Sequence, residues 1–125
     1  QMDGKGKEPW PMYCCVILVA ADQERSELFL ELRNKKAKVA SGELTCFGGK
    51  REKGEEPEDC IIRECVEEMC WSPSKSGLTR ECDLYVDDRL VAWFYVANGP
   101  TQTELSSLLK FENGRTGVTC YINCF

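Results

Sequence analysis

Nine consecutive residues, "YCCVILVAA" from Tyr13 to Ala21, carry no charge and no turn former. Branched and aromatic side chains favour an extended strand, and apolar residues at odd and even positions alike leave neither face suited to water. Such a strand belongs at the centre of a sheet with other elements packed on it. Polar "ADQERSE" reads as a turn, after which Leu28, Leu30 and Leu32 alternate with Phe29, Glu31 and Arg33. That alternation predicts a strand with one more polar face. A basic loop, "NKKAKVASGE", leads to "LTCFGG", a short strand running into paired glycines. "LTRECDLYV" and "RLVAWFYVA" flank Asp87-Asp88 and predict an antiparallel hairpin, and the final "GVTCYINCF" predicts one more strand.

From Glu55 the period changes. "EEPEDCIIRECVEEMC" places Pro57 near a helix start and acids in the first turn, where they suit the dipole; Pro73 marks the stop. Leu105, Leu108 and Leu109 mark one face of a short second helix. Together these elements predict an α/β domain, a mixed sheet flanked by helices. At 125 residues the chain suits one domain, read as residues 13–125 behind a flexible lead-in, 1–12. The lead-in lacks the apolar core of a secretory signal. No apolar run approaches the roughly 20 residues that span a bilayer, so no membrane partner is expected.

The net charge is −5, which argues against binding nucleic acid, a process driven by Lys and Arg neutralising phosphates. An acidic protein can still bind a phosphorylated small molecule if a metal ion supplies positive charge. Nine cysteines is an odd count, and several sit inside apolar runs. Free cysteine packs like a small hydrophobe, so the expectation is buried, reduced thiols and an intracellular, cytoplasmic location.

The stretch "GGKREKGEEPEDCIIRECVEEMCW", Gly48 to Trp71, has three readings: a solvated acidic helix, a cysteine metal site, or a carboxylate metal site. Cys60, Cys65 and Cys70 are five apart, which turns each about 140° from the last, so they cannot converge on one ion. Glu64, Glu67 and Glu68 stand at i, i+3 and i+4, on one face. Like charges there repel, and a solvated face is the usual outcome. A divalent cation such as Mg²⁺ or Mn²⁺, which takes oxygen ligands, converts the repulsion into binding.

The surroundings favour the last reading. Gly49, five residues, Glu55, seven residues, then Arg63-Glu64-Cys65-Val66-Glu67-Glu68 resembles the signature of the Nudix hydrolases, G-x5-E-x7-R-E-U-x-E-E-x-G-U, where U is bulky and apolar. One position departs: Cys70 stands where the family has glycine, at the helix end, where a left-handed backbone favours glycine. "CFGGK" resembles the MutT-like branch in particular. The resemblance implies an α/β/α sandwich and the hydrolysis of a diphosphate linked to a nucleoside, with Mg²⁺ or Mn²⁺.

By position, the resemblance makes Glu64, Glu67, Glu68 and the Gly48 carbonyl metal ligands. Arg63 and Glu55 are implied to pair and hold the glutamates in register, with Gly49 as part of the structural motif. The implied substrates are nucleoside triphosphates, oxidised purine nucleotides among them, cleaved to monophosphate and pyrophosphate. Phe47, Trp93, Tyr95 and Trp10 are candidates for stacking on a base, with core packing as the alternative. Lys50 and Arg51 are candidates to meet outer phosphates. The water's proton goes to Glu67 or Glu68, or to Glu104, which follows the hairpin but also suits a capping box with Thr101. Other leaving groups, such as a sugar, a second nucleoside or an RNA cap, and a non-catalytic binding module remain open alternatives.

Overall fold

The computed structural model describes residues 9–19, 28–33, 42–101, 103–104 and 115–120. The first strand, β1 (Tyr13–Val19), is followed by β2 (Leu28–Arg33), β3 (Leu44–Thr45) and β4 (Phe47–Lys50). Then come α1 (Pro57–Met69), a 3-10 turn (Lys75–Gly77), β5 (Thr79–Val86), β6 (Arg89–Asn98) and β7 (Arg115–Cys120). The strands form one mixed sheet in the order β3-β2-β1-β6-β5, with β4 also pairing β1 and β7 also pairing β2.

As the apolar run requires, β1 is central. It pairs antiparallel with β2 near its end, antiparallel with β4 from Tyr13↔Lys50 to Val16↔Phe47, and parallel with β6 along its whole length. The hairpin is also as expected: β5 and β6 are antiparallel, and Asp87 and Asp88 both hold positive φ, 50° and 64°. Two consecutive positive φ values define the tight turn whose twist matches a β-hairpin, and Asp tolerates that backbone better than most residues.

The helix begins at Pro57, which needs no N–H there, with Glu58 and Asp59 at the positive end of its dipole. It buries Pro57, Cys60, Ile61, Cys65, Glu68 and Met69, a stripe at helical spacing. That stripe packs on Cys14, Val16 and Leu18 of β1, Phe29 of β2, Phe47 of β4 and Trp93, Tyr95 and Ala97 of β6. Each large side chain fully buried there is worth about 1.5–3 kcal/mol.

Three expectations are revised by burial. Glu31, placed on the more polar face of β2, points with Phe29 into the covered face and is 1% exposed; Thr45 Oγ1 donates to its Oε1 at 3.3 Å. Cys14, Cys60 and Cys65 are buried as expected, but Cys15 and Cys46 are half-buried and Cys70 and Cys82 exposed. The end of the lead-in is tied to the fold: Pro11 is buried, Arg51 Nε donates to its carbonyl at 2.9 Å, and the Arg51 N–H donates to the Met12 carbonyl at 2.8 Å. The second helix expected around Leu105, Leu108 and Leu109 falls outside the described residues, as does the chain after Cys120. Among the described residues, no helix is long and apolar enough to cross a membrane.

Candidate metal and phosphate site

The β1–β4 ladder sets Gly48 opposite Cys15 and Gly49 opposite Cys14. Gly48 has φ 138°, and a Cβ there would collide with the Cys14 carbonyl and lie 2.7 Å from Cys15 Cα. A Cβ on Gly49 would lie 2.6–2.8 Å from all three atoms of the Glu64 carboxylate. Real Cβ atoms do not approach so closely. Gly49 therefore lets the β4 backbone meet the Glu64 carboxylate directly, while Gly48 lets β4 pass close against β1. The Gly48 N–H donates to Glu68 Oε1 at 3.3 Å, tying the last turn of α1 to the same strand.

Arg63 organises the remaining acids. Its Nε and Nη2 donate to Glu55 Oε2 and Oε1 at 2.8 and 3.0 Å, a two-pronged contact that matches guanidinium to carboxylate. Nη1 reaches Glu64 Oε2 at 3.1 Å and Glu67 Oε1 at 3.3 Å, and Nη2 also donates to the Lys50 carbonyl at 3.2 Å. Glu55 in turn accepts from the Glu52 N–H at 3.0 Å. Arg63 thus links the loop before the helix to two carboxylates on the helix.

These surroundings divide the carboxylates. The Arg63 guanidinium holds the Glu55 carboxyl below its ordinary range. Burial pushes the Glu64 carboxyl up, and its hydrogen bond with Glu68 and the charge of Arg63 only partly oppose this. Glu68 is 0% exposed, whereas the Glu67 side chain is 47% exposed on the Arg63 side.

The structure brings together Gly48, Gly49, Glu55, Arg63, Glu64, Glu67 and Glu68, but not as a finished cage. Among the described residues no three acidic or thiol side chains converge to hold a metal ion. Arg63 draws Glu67 outward, while Glu64 and Glu68 turn to each other. The donor set still suits Mg²⁺ or Mn²⁺: all oxygens, two of the carboxyls adjoining, beside a strand stripped of side chains.

Phe47, Trp93 and Tyr95, expected as base-stacking candidates, are core residues. Phe47 stacks on Phe29 with ring centroids 5.5 Å apart, Arg80 covers the Trp93 ring at 3.8 Å, and the Tyr95 hydroxyl donates to Glu58 Oε2 at 2.9 Å. Burial and that carboxylate push the Tyr95 hydroxyl pKa up. Trp93 and Tyr95 do edge a cleft of about 300 Å³ shared with Trp10, Glu58 and Arg80. Glu104 closes the capping box that Thr101 allows: the Thr101 N–H donates to Glu104 Oε1 at 2.9 Å, and the Glu104 N–H to Thr101 Oγ1 at 3.0 Å. Sequence reasoning missed Glu31 and the Glu58–Tyr95 contact; neither has a periodic signal.

No family model matches the chain. Over 74 residues it is 34% identical to the 8-oxo-dGTP diphosphatase of Escherichia coli. Over that stretch the chain is similar to a MutT-like Nudix hydrolase. The match covers 58% of this chain and spans 57% of that relative's length. Solved MutT-like Nudix structures share the fold. One, from work on MutT of Aliivibrio salmonicida and Vibrio cholerae, superposes with a TM-score of 0.65 at 20% identity, covering 87% of this chain and 77% of that one. The MutT Nudix hydrolase of Burkholderia pseudomallei gives 0.64 at 21% identity, over 91% and 84% of the two chains. In Nudix terms Cys70 is the departure from the signature, and it adopts the backbone expected of the missing glycine: φ 58°, ψ 29°, with its N–H still bonded to the Val66 carbonyl at 2.9 Å.

Proposed function

We propose that the chain is a divalent-metal-dependent pyrophosphohydrolase that cleaves nucleoside triphosphates to nucleoside monophosphate and pyrophosphate. The observation that carries this reading is the apposition of two glycines with Glu64 and Glu68, braced by an Arg63 that Glu55 fixes from the loop. The diphosphatase named above supports the choice of nucleotide. When bound, Mg²⁺ or Mn²⁺ neutralises the phosphates and lowers the pKa of a coordinated water.

In this reading Glu64, Glu68 and the Gly48 carbonyl would hold the metal, with Glu67 available from the exposed edge. Ligation would need the Glu64 carboxyl, which burial pushes up, in its ionised form. Arg63 keeps the carboxylates beside the strand, and Glu55 keeps Arg63 from folding onto them completely. The proton of the attacking water passes to a motif carboxylate, Glu67 or Glu68. Glu104 is a weaker candidate because its carboxylate is committed to the Thr101 N–H.

The test is a panel of nucleoside triphosphates, oxidised purine nucleotides, nucleotide sugars and dinucleotides, each with Mg²⁺ or Mn²⁺, with products identified. Monophosphate plus pyrophosphate supports the reading. Two monophosphate products from a sugar or dinucleotide transfer the same chemistry to another substrate. No turnover on any of them, with the fold intact, sinks it.

A further inference from the structure

The cations whose side chains the structure describes divide into two groups. Arg63, Lys75 and Arg80 each lie within 4.0 Å of a carboxylate: Arg63 with Glu55, Lys75 with Glu56 and Asp59, and Arg80 with Asp83. Lys50, Arg51, Lys53 and Arg89 form no ion pair among the described residues, and all four line one cleft of about 680 Å³. In a chain of net charge −5, unpaired cations are not expected to gather by chance on one surface. The single acid in the lining, Glu52, is turned toward Arg63, 3.8 Å from its Nε. The described lining thus carries four cations against one carboxylate, a net positive charge.

Its wall is built rather than merely exposed. Arg51 is held by three carbonyls: Nε donates to Pro11 at 2.9 Å, and Nη1 to Glu55 at 3.1 Å and Glu52 at 3.4 Å. Its guanidinium lies 5.1 Å from the centre of the Trp10 ring. The carbonyl contacts, through Nε and Nη1, fix its position without neutralising its charge. Lys50, Lys53 and Arg89 are exposed around it. A fixed planar guanidinium ringed by mobile cations suits an anion with several charged oxygens spaced along a chain. The volume falls within the range of small-ligand sites.

We infer that the cleft between Pro9–Met12, the loop Lys50–Gly54 and Arg89 binds a phosphate chain, two or more linked phosphate groups, through Arg51, Lys50, Lys53 and Arg89. The chemistry is shared by the tail of a nucleotide and by free polyphosphate. The inference does not depend on the hydrolase reading, and its test leaves out divalent metal so that the two fail separately.

The experiment is calorimetric titration of the whole chain with tripolyphosphate and with orthophosphate, in chelator and at low salt. One tripolyphosphate should bind per chain, more tightly than orthophosphate, and the binding should weaken as salt is raised. Reversing Lys53→Glu and Arg89→Glu together should weaken it about 100-fold, roughly tenfold for each charge. Lys75→Glu, away from the cleft, should leave it within about twofold. The inference is overturned if tripolyphosphate binds no better than orthophosphate, if the double variant binds like the parent, or if Lys75→Glu loses as much. Circular dichroism checks that each variant is folded. Adding a non-hydrolysable nucleoside triphosphate with Mg²⁺ separates the sources: displacement of tripolyphosphate assigns the cleft to the nucleotide's own tail, and simultaneous binding assigns it to a second ligand.

Discussion

Replacing Cys70 by glycine should raise stability by about 0.5–1 kcal/mol. Cys70 sits at φ 58°, ψ 29°, where an ordinary L-residue pays about 1–2 kcal/mol because its Cβ crowds the following carbonyl. Glycine removes that strain. It also makes the unfolded chain more flexible, which returns about 0.4–1 kcal/mol. The Cys70 side chain is exposed, so no packing is lost. A gain of this size should lift the thermal midpoint by about 2–5 °C. The assay is thermal and urea unfolding of the parent, Cys70→Gly and Cys70→Ala. The alanine variant keeps the Cβ and so the strain, and should stay within about 0.5 kcal/mol of the parent. Turnover should change by no more than a few-fold, because the position shapes backbone and carries no ligand. A glycine variant no more stable than the alanine variant would refute the strain argument. A large loss of turnover with the fold intact would show that the thiol has work of its own.

The remaining expectations concern the carboxylates and glycines. Glu55→Gln should cost about 1–3 kcal/mol, since it leaves Arg63 without its two-pronged partner. The sign of its pH dependence follows from the depressed Glu55 pKa: the pair's contribution is full above the unfolded value near 4.3 and is lost as pH falls through the lower folded value. Acid titration of unfolding should therefore be flatter below about pH 4.3 in the variant than in the parent. Gly49→Ala should displace Glu64 and lower turnover on the order of 100-fold while circular dichroism shows a folded chain, with Mn²⁺ affinity measured by calorimetry falling in parallel. Glu68→Gln should lower turnover by about 1,000-fold at saturating metal and Glu104→Gln by less than about tenfold; the reverse order would move the proton acceptor to Glu104.

Periodicity made much of the fold legible. A fully apolar run identified the central strand, and two β-rich runs about Asp87-Asp88 identified the hairpin. The change to helical spacing after Pro57 located α1 to within a residue of its observed end at Met69. The candidate site was legible for a different reason: its residues lie on consecutive elements, β4, the loop after it and α1, so one short stretch of sequence carries them all. What was not legible depends on facing. Alternation along β2 distinguishes two faces but not which one is covered, and Glu31, expected on the more polar face, is buried. The same ambiguity left Phe47, Trp93 and Tyr95 as candidates for stacking. Their register with β1 sends all three into the core.

The basic cleft shows why composition alone misleads about ligand charge. A net charge of −5 is a sum over the surface, whereas a ligand meets a local field. In this chain one loop separates the two signs. Lys50, Arg51 and Lys53 face the cleft from it, while its acids, Glu52 and Glu55, are drawn to Arg63 on the helix. Arg63 therefore does two jobs at once: it gathers carboxylates beside the glycines and draws on Glu52, the one acid in the described cleft lining. Cutting that link by losing Arg63 would release Glu52 toward the cleft and leave Glu64 and Glu67 less restrained. The acidic site and the basic cleft are accordingly parts of one electrostatic arrangement, and a substitution at Arg63 should disturb both.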